Sequence, residues 1–558
     1  RLVMTGGPRV AFALPCVLQA GRTNRVAVFG RRLEGSRPSS LEAADGRPLE
    51  MAEMEIVAPP LEDSRASPAD LPRRAASGSL AGAAIRWQCR SAGGASNPIL
   101  FPLAEGPVAV APWGADGGAT GLVAVQPPME FSGLFPRRGE QSGVMFEAGK
   151  GEVFWIELWA ERLGYPCDPF VVVQRKRKTP GEEGESLYAD VMELGDQESN
   201  PGGAEFPLFS RDPAGRFEAP EDGTYRLLVR DLFHQASRGA RFPYRLAVRR
   251  ESPDFSLTVL PMQPVRANDN DRSVHALAPF LRRGQTELLR VIALRKDGFS
   301  GEIGLAADGL PNGVRCGDTR IPAGQSVGFI SLTASDTASG IFRPVITGTA
   351  LSGTNLLRRA AVWAAPGPVA DSNEQAVTVT WAREPMASVS EAEWAPVSLA
   401  AAGDGPWELG SDGKLSVPVA VVRRGDFPGA FNVRLAGRLE LDKGKEASVP
   451  EKATNATLEL NLSEAKLPEG LHRVWLQGQV AGKYRNQPEA LTRAEEALQA
   501  AEQALAEAAE PDRKALEERR QKAEEQRKAA EERAKPRDVI FRVYSPVFEL
   551  RVASSGTQ

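Results

Sequence analysis

The stretch GVMFEAGKGEVFWIELWAERLG, residues 143–164, decides the fold of the region around it. Apolar and polar side chains alternate on both sides of a glycine-containing turn at residues 149–151. Because successive side chains of a strand point to opposite faces, this period predicts two half-buried β-strands. Three later segments are also strand-like: DPFVVVQRKRK (168–178), GRFEAPEDGTYRLLVRDL (215–232) and FPYRLAVRR (242–250). The sequence therefore predicts a β-unit over residues 126–250.

The order of motifs in this unit resembles a known family. The motifs F-x-A-x-x-G, A-x-R-L-G, DP-F-x-V, RFEAPEDGTYRLLVRD and YRLAV resemble the bacterial pre-peptidase C-terminal domain, with PEDGTYRLLVRD as the most specific element. The resemblance covers about a fifth of the chain and implies a small, jelly-roll-like β-sandwich of the kind found in secreted proteases and large cell-surface proteins. The preceding segment, with GRRLEG (30–35) and SNPILFPL (96–103), resembles the Ig-like domain that often precedes such modules.

The resemblance also bears on metal binding. Family members that bind calcium carry an Asn/Asp cluster ahead of the first strand and a GDxDxF turn, but these places read APWGADGG (111–118) and RRGEQSGVMF (137–146) here. Since calcium takes roughly six to eight oxygen ligands, we expect no family-type calcium site and no other cofactor. Four acids remain, expected to bond nearby backbone amides, with calcium ligation as the alternative: Asp168, Asp196, Glu198 and Asp212.

The chain of 558 residues is too long for one domain, since a domain takes roughly 100–200 residues. We predict a mainly β protein of tandem β-sandwich units: an Ig-like unit at 1–125 with a long loop or meander over 36–79, the family-like unit at 126–250, and Ig-like units at 251–366 and 373–553. PDFSLTVLP (253–261) and VTVTWAREPM (377–386) are predicted as the first strands of the last two units.

These last two units share a repeated sequence motif, called the echo below. LRKDGFSGEI (294–303) aligns with VRRGDFPGAF (422–431). A repeat at this spacing indicates tandem domains rather than a solenoid, whose period is roughly 20–50 residues. In the shared Phe-x-Gly we expect the Phe to enter the core and the Gly to adopt an unusual backbone angle.

A charged, alanine-rich stretch of different character lies inside the fourth unit: ALTRAEEALQAAEQALAEAAEPDRKALEERRQKAEEQRKAAEERAKP, residues 490–536. Heptad spacing predicts two helices with a common seam, formed by Leu491, Leu498, Leu505, Ala494, Ala501 and Ala508 in the first and by Leu516, Ala523 and Ala530 in the second. Pro511 separates the helices, Asp512 stands in a cap-like position, and Pro536 ends the second helix.

The same stretch contains candidate i,i+4 ion pairs, Glu518–Lys522 and Glu524–Lys528. We predict an antiparallel helical hairpin at residues 489–535, inserted between consecutive strands of the fourth sandwich. A partly disordered, charged linker is the alternative.

The overall charge argues against two classes of partner. The net charge is −4, with 68 basic and 72 acidic residues, so no strong field favours nucleic acid or an anionic membrane. No apolar run approaches the roughly 20 residues of a membrane-spanning helix. RVAFALP (9–15) is interpreted as a first strand rather than a signal peptide, and export to the envelope or beyond is an inference from the resemblance.

The four cysteines are not arranged in CxxC pairs, which argues against thiol-redox and zinc-ribbon sites. Cys16 and Cys89 fall in one predicted unit. They either form a disulfide, if the chain is exported, or are small buried apolar side chains, as is also open for Cys167 and Cys316.

Catalytic motifs are missing from the sequence: HExxH, GxSxG and GxxxxGK[ST] do not occur. The three histidines are His234, His275 and His472. Asp231, His234 and Ser237 suggest a triad, but residues three apart on one loop are poorly placed to orient one another. Trp155 and Trp159 share a strand face, for which core packing is predicted and a sugar-stacking platform is the alternative.

We therefore predict no catalytic, cofactor-binding or metal-binding residue. The predicted function is that of a non-catalytic extracellular or cell-surface protein for binding, adhesion or scaffolding. Its partner would be a protein or another cell-envelope component, reached through the helical hairpin, with the oligomeric state left open. Two alternatives stay open: an accessory or substrate-binding portion of a larger exported protease or glycosidase, and a carbohydrate-degrading β-sandwich enzyme.

Overall fold

The structure is a computed structural model that describes residues 6–43, 45–61, 74–76, 83–112, 121–136, 140–177, 187–203, 206–233, 242–263, 278–317, 319–365, 378–382, 385–403, 405–410, 413–424, 427, 429–441, 444–485 and 487–553. The chain is mainly β, as predicted, with many sheets. In the part of the chain so described, no helix combines the length and the apolar character needed to cross a membrane.

The first unit consists of short strands in two main sheets. Its strands are β1 (Arg9–Leu14), β2 (Leu18–Gln19), β3 (Thr23–Arg31), β4 (Arg37–Glu42), β5 (Pro48–Val57), β6 (Arg74–Ala76), β7 (Ala84–Trp87), β8 (Arg90–Ser91), β9 (Gly94–Ala95) and β10 (Ile99–Ala104). One sheet has the order β1-β3-β5-β4 and the other β2-β10-β7. Val28 and Phe101 belong to the core that the two sheets share.

Of the two alternatives for residues 36–79, a long loop or a meander, the described part favours the meander, because β4 and β5 lie inside it and pair antiparallel. β4 is an edge strand in which only Leu41 is buried. Its Pro, Ser and Glu side chains lie at the surface, so the segment lacks the alternation of apolar and polar residues that predicts a strand. Residues 44, 62–73 and 77–79 of this predicted segment lie outside the described residues. Between the last two ranges, β6 joins a sheet of the third unit.

The second unit is a sandwich of two five-stranded sheets. Its strands are β11 (Val108–Val110), β12 (Gly121–Ala124), β13 (Met129–Leu134), β14 (Ser142–Ala148), β15 (Val153–Trp159), β16 (Pro169–Lys176), β17 (Tyr188–Leu194), β18 (Ala214–Glu218), β19 (Gly223–Asp231) and β20 (Pro243–Arg250). The sheet orders are β11-β13-β20-β15-β18 and β12-β14-β19-β16-β17. The two strands predicted around the turn at 149–151 are β14 and β15, one in each sheet.

Aromatic rings fill the space between these two sheets. The rings of Phe146 and Phe154 lie edge to face with centroids 5.6 Å apart, and those of Phe217 and Tyr225 do so at 5.2 Å. β11 and β12 belong to this sandwich although they precede the predicted start at residue 126, because each pairs in parallel with a strand that follows it closely, β13 and β14 respectively.

The third unit has three sheets around one core. Its strands are β21 (Asp254–Pro261), β22 (Phe280–Arg283), β23 (Thr286–Lys296), β24 (Ile303–Asp308), β25 (Val314–Cys316), β26 (Thr319–Ile321), β27 (Val327–Ala334), β28 (Gly340–Phe342), β29 (Val345–Ser352), β30 (Asn355–Ala360), β31 (Val362–Ala365), β32 (Thr378–Ala382) and β33 (Ala387–Trp394). The sheet orders are β25-β27-β23-β21-β31-β32-β6, β26-β24-β29-β30 and β22-β33-β28.

The segment predicted as the first strand of the fourth unit belongs here instead. β32 lies within VTVTWAREPM and pairs with β31 on one side and with β6 on the other. Ala387 and Val389 of the following strand β33 are buried in the third core, whereas Val397 is buried in the fourth. The chain therefore changes core between residues 389 and 397, later than the predicted start at 373.

The fourth unit carries the two helices. Its elements are β34 (Val397–Ala401), β35 (Trp407–Leu409), β36 (Lys414–Arg423), β37 (Phe431–Ala436), β38 (Ala447–Val449), β39 (Asn455–Asn461), β40 (Gly470–Tyr484), α1 (Pro488–Ala506), α2 (Arg513–Ala534), β41 (Arg537–Tyr544) and β42 (Phe548–Val552). One sheet has the order β34-β36-β39 and the other β35-β42-β40-β37-β38, with β41 also paired to β40.

The predicted echo between the third and fourth units appears in their hydrogen bonds. Each unit has one arginine that donates to three backbone carbonyl oxygens at aligned positions, those of Gly301, Pro322 and Gln325 for Arg295 and those of Gly429, Pro450 and Ala453 for Arg423. Each guanidinium also lies over the aligned Phe ring, 5.3 Å from Phe299 and 5.7 Å from Phe427. The two units are therefore built around the same arginine clamp.

The predicted role of the repeated glycine is wrong, since neither Gly301 nor Gly429 has a left-handed backbone angle. A Cβ at Gly301 would lie 3.1 Å from Cζ of Phe299, and one at Gly429 would lie 3.8 Å from Cζ of Phe427. The glycine makes room for the Phe ring, most tightly in the third unit, and its carbonyl accepts from the arginine. Phe299 is buried, as predicted.

Candidate interaction surface: a pair of helices at the end of a strand ribbon

The helices α1 and α2, called the helical pair below, follow a long two-stranded ribbon. The last part of β40 pairs antiparallel with β41, from Gln477 opposite Tyr544 to Tyr484 opposite Arg537. Beyond this ribbon, Pro488 stands at the first position of α1, where its missing N–H costs nothing. Pro536 precedes β41 directly and prevents α2 from continuing. In chain order, the helical pair thus lies between two strands, β40 and β41, that pair with each other.

The two helices pack mainly against each other. The seam positions named from the heptads are all buried or half-buried: Leu491, Ala494, Leu498, Ala501, Leu505, Ala508, Leu516, Ala523 and Ala530. Only alanines are fully buried, at Ala501 and Ala523 in the seam and at Ala534 near the ribbon. The four leucines remain half-buried, because two helices cannot cover a leucine on all sides.

Ion pairs within α2 stabilise its exposed side. Lys528 contacts Glu524 at 3.0 Å, as predicted, and the Lys528 ammonium lowers the pKa of Glu524 mainly through this hydrogen bond. Glu518 and Lys522 form no ion pair in the described part of this helix. Asp512 directly precedes α2, but its side chain makes no capping hydrogen bond.

A groove of about 410 Å³ runs along one flank of the helical pair. It is lined by Ala490, Arg493, Ala494 and Ala497 of α1 and by Gln526, Ala529, Ala530 and Arg533 of α2. Both sets follow the i, i+3, i+4, i+7 spacing of one helix face, and the early part of α1 lies beside the late part of α2. Five of the eight lining residues are alanines, and the others are two arginines and a glutamine. Since helices pack by fitting side-chain ridges into grooves, this groove is the candidate contact surface of the helical pair.

The helical pair is also uneven in charge. Within its bounds α1 has four glutamates and one arginine, whereas α2 has eight basic and six acidic residues. α1 is therefore net acidic and α2 net basic. This mixture disfavours a lipid surface, because membrane-surface helices need an excess of basic residues on their polar face.

Of the suggested triad, the structure describes only Asp231. Asp231 is buried and accepts hydrogen bonds from the backbone amides of Asp168 and Phe233. His234 and Ser237, and also His275, lie outside the described residues. His472 is buried, with Nε2 2.6 Å from the carbonyl oxygen of Pro468.

Of the four acids named from the sequence, Asp212 has a clear role. Its Oδ1 accepts from the backbone amides of Ala160 and Glu161, at 2.9 and 2.7 Å. Its Oδ2 accepts from Arg162, from the backbone amide at 3.0 Å and from Nε at 2.9 Å. Asp212 thus bonds backbone amides, but those of a turn at residues 160–162, distant in sequence, rather than amides next to it in the chain. Across the described ranges no group of three or more His, Cys, Asp or Glu side chains is arranged to hold a metal ion.

Trp159 does not belong to a sugar-binding platform, because it is fully buried. Its ring lies under two guanidinium groups, 4.3 Å from that of Arg162 and 5.4 Å from that of Arg245. Next to it, Glu157 contacts Arg162 at 3.1 Å. Burial alone would raise the pKa of Glu157, but Arg162 and Arg245 lower it to about 2. From the sequence, Glu157 is only one polar residue in an apolar strand. The ionic cluster that it forms with Arg162 and Arg245 was not predicted.

None of the four cysteines, all of which are described, takes part in a disulfide, so the one between Cys16 and Cys89 is not formed. Cys16 accepts a hydrogen bond from the hydroxyl of Ser132 at its Sγ, and burial raises its pKa to about 12. Cys89 is buried in the core of the first unit. Both behave as small buried side chains, which was the alternative prediction.

Comparisons with known proteins do not assign a family. No family model matches the chain, and no curated protein matches it. Similar solved structures include the pre-peptidase C-terminal domain of collagenase from Bacillus anthracis, with 14% identity over 23% of this chain and 96% of that chain, at a TM-score of 0.16. Domains 5–6 of the S-layer protein SbsC match with 12% identity over 39% and 91%, at 0.17. The FN1–FN3 domains of chicken CNTN1 match with 9% identity over 60% and 91%, at 0.15.

Proposed function

We propose that this chain is a non-catalytic scaffold or adhesion protein of the cell surface, whose β-sandwich units carry the helical pair as a partner-binding element. The proposed units are residues 6–104, 108–250, 254–394 and 397–552. The proposed location is extracellular or in the cell envelope, in keeping with the resemblance of the second unit to domains of exported proteins. The proposed partner is a protein or another envelope component.

The observation that carries this proposal is the placement of the helical pair. It interrupts a strand ribbon that would be complete without it, since β40 and β41 pair over their full facing length. The helices contact mainly each other, so they add little to the core of the fourth unit. An insertion that does not build the core and leaves a lined groove open is suited to contacting another molecule.

The test uses the full chain with residues 485–536 replaced by a two-residue Asn-Gly turn, which joins Tyr484 directly to Arg537 as a β-hairpin turn does. We expect the four sandwich units to keep their thermal unfolding temperature, because the helices lie outside the cores. Capture of envelope components should fall at least tenfold. Unchanged capture by the turn-replaced chain would contradict the proposal.

A matched pair of variants locates the contact on the helical pair. Ala497→Arg together with Ala529→Arg fills the groove at two exposed positions, and Ala500→Arg together with Ala515→Arg places the same groups outside it. The first double variant should lose the partner and the second should keep it. Helix content measured by circular dichroism should be equal in both, since arginine is a good helix former.

A further inference from the structure

The third and fourth units share an interface that is largely apolar at its centre. Leu288 of β23 and Phe329 of β27 pack against Trp475 of β40 and Tyr544 of β41. The rings of Phe329 and Trp475 are 4.4 Å apart. Polar contacts surround this centre: Ser398 donates to the carbonyl of Gly284, Arg424 pairs with Asp336, and Arg320 pairs with Glu549.

A carboxylate is buried beside this interface. Glu287 of β23 is 6% exposed and accepts a hydrogen bond from Nε2 of Gln285 at 3.1 Å. It makes no ion pair with any described residue. The position opposite it on β27, Leu332, carries no charge, and β21 ends before it with Pro261 opposite Leu289.

The charged and titratable groups that face Glu287 come from two elements. Arg542 and Tyr544 lie on β41 of the fourth unit, and Arg282 lies on β22 of the third. Arg282 is engaged with Glu393 at 2.8 Å, and Arg542 donates to the carbonyl of Met262 at 3.5 Å. The electrostatic field of Arg282 and Arg542 therefore acts on the Glu287 carboxylate, although neither guanidinium contacts it. Burial raises the pKa of Glu287 to about 7 against the opposing influence of Arg542. Burial also raises the pKa of Tyr544, which Arg542 opposes and Glu287 reinforces.

The strand that faces Glu287 is also the strand that returns from the helical pair. β41 begins directly after α2 and its other end holds Arg542 and Tyr544. A movement of β41 away from β23 would carry the ribbon, and with it the helical pair, relative to the third unit. β41, which forms part of the interface, is therefore continuous in the chain with α2 of the proposed binding element.

We propose that Glu287 makes the junction between the third and fourth units sensitive to pH, so that its neutral form keeps β41 packed on the third unit and its charged form loosens this packing. A charged carboxylate in a dry site needs water or a contacting cation. Separation of β41 from β23 supplies the water at the cost of a few interface contacts. The helical pair would be held closely in mildly acidic surroundings and released above neutral pH.

The test is a distance measured in the intact chain by double electron–electron resonance. Spin labels are attached to unnatural amino acids at Leu351, which is exposed on the third unit, and at Ala515, which is exposed on α2. Between pH 5.5 and 8.5 we expect the distance distribution to broaden and shift, with a midpoint near pH 7. Glu287→Gln should keep the narrow distribution throughout, and the exposed Glu302→Gln should behave as the unchanged protein.

A second variant keeps the proposal open to refutation if Glu287→Gln does not fold. Arg542→Gln removes the cation that favours the charged form, so the midpoint should move to higher pH. A distribution that is the same at pH 5.5 and 8.5 would overturn the proposal. So would a shift that persists in Glu287→Gln, or a midpoint that Arg542→Gln leaves in place.

Discussion

Replacing Asp212 by alanine should destabilise the second unit by about 3–5 kcal/mol, the largest loss we expect from one substitution. The side chain is fully buried and receives four hydrogen bonds from the turn at residues 160–162. Its removal leaves backbone amides without acceptors and leaves the buried guanidinium of Arg162 with only the carboxylate of Glu157 and the carbonyl oxygen of Leu158 among the described residues. The measurement is the free energy of opening of β15 and β16, obtained by hydrogen exchange of the full chain.

Asp222→Ala is the matched control for this substitution. Asp222 also accepts from a backbone amide, that of Lys150 at 2.7 Å, but it lies on an exposed turn of the same unit. Its loss should cost less than about 1 kcal/mol, since water replaces the missing acceptor. Equal losses in the two variants would show that the buried ionic cluster does not stabilise this sandwich in the way described.

Glu287→Gln should stabilise the third unit by up to about 3 kcal/mol at pH 8 and leave it nearly unchanged at pH 5. Burial raises the pKa of Glu287 from 4.5 to about 7 in the folded chain. The folded state therefore binds the proton more tightly than the unfolded state. Stability is highest below pH 4.5, falls as the pH rises toward 7, and stays low above it. Glutamine has no proton to lose and removes this fall.

The pH dependence is measured by urea unfolding at pH 5 and pH 8, with Glu302→Gln as control. Glu302 lies on the same unit, pairs with Arg320 at the surface and is half exposed. Its substitution should not change the difference between the two pH values. If Glu287→Gln is no more stable than the unchanged chain at pH 8, the carboxylate is not buried in the folded protein as described.

Local patterns were enough to predict several strands, chiefly in the second unit, and the two-helix seam. Period-two alternation marked β14 and β15, and the heptads marked the buried face of the helical pair, because both signals lie in neighbouring residues. The echo between residues 294–303 and 422–431 predicted tandem units, and Arg295 and Arg423 make the same backbone contacts. A repeated motif is visible in a sequence even when its contacts are distant.

What could not be predicted depends on pairing between distant segments. β6 and β32 lie far apart in sequence, and no property of either strand names the other. The same holds for unit boundaries, since β11 and β12 belong to two different sheets and each pairs with a strand that follows it. The charges were missed for a related reason. In the sequence, Glu157 and Glu287 are only polar residues within apolar strands. Their burial could not be predicted, because the sequence does not show that Arg245 lies near the first and Arg542 near the second.

The most direct measurement of the central claim, that the helical pair contacts the partner, is photo-crosslinking from single positions in the full chain. Photoreactive amino acids are placed at Ala497 and Ala529 in the groove, and at the exposed Val57 and Ile341 on the first and third units. Our account predicts that envelope partners crosslink from the two groove positions and not from the two sandwich positions. Crosslinks from Val57 or Ile341 with none from Ala497 and Ala529 would contradict it.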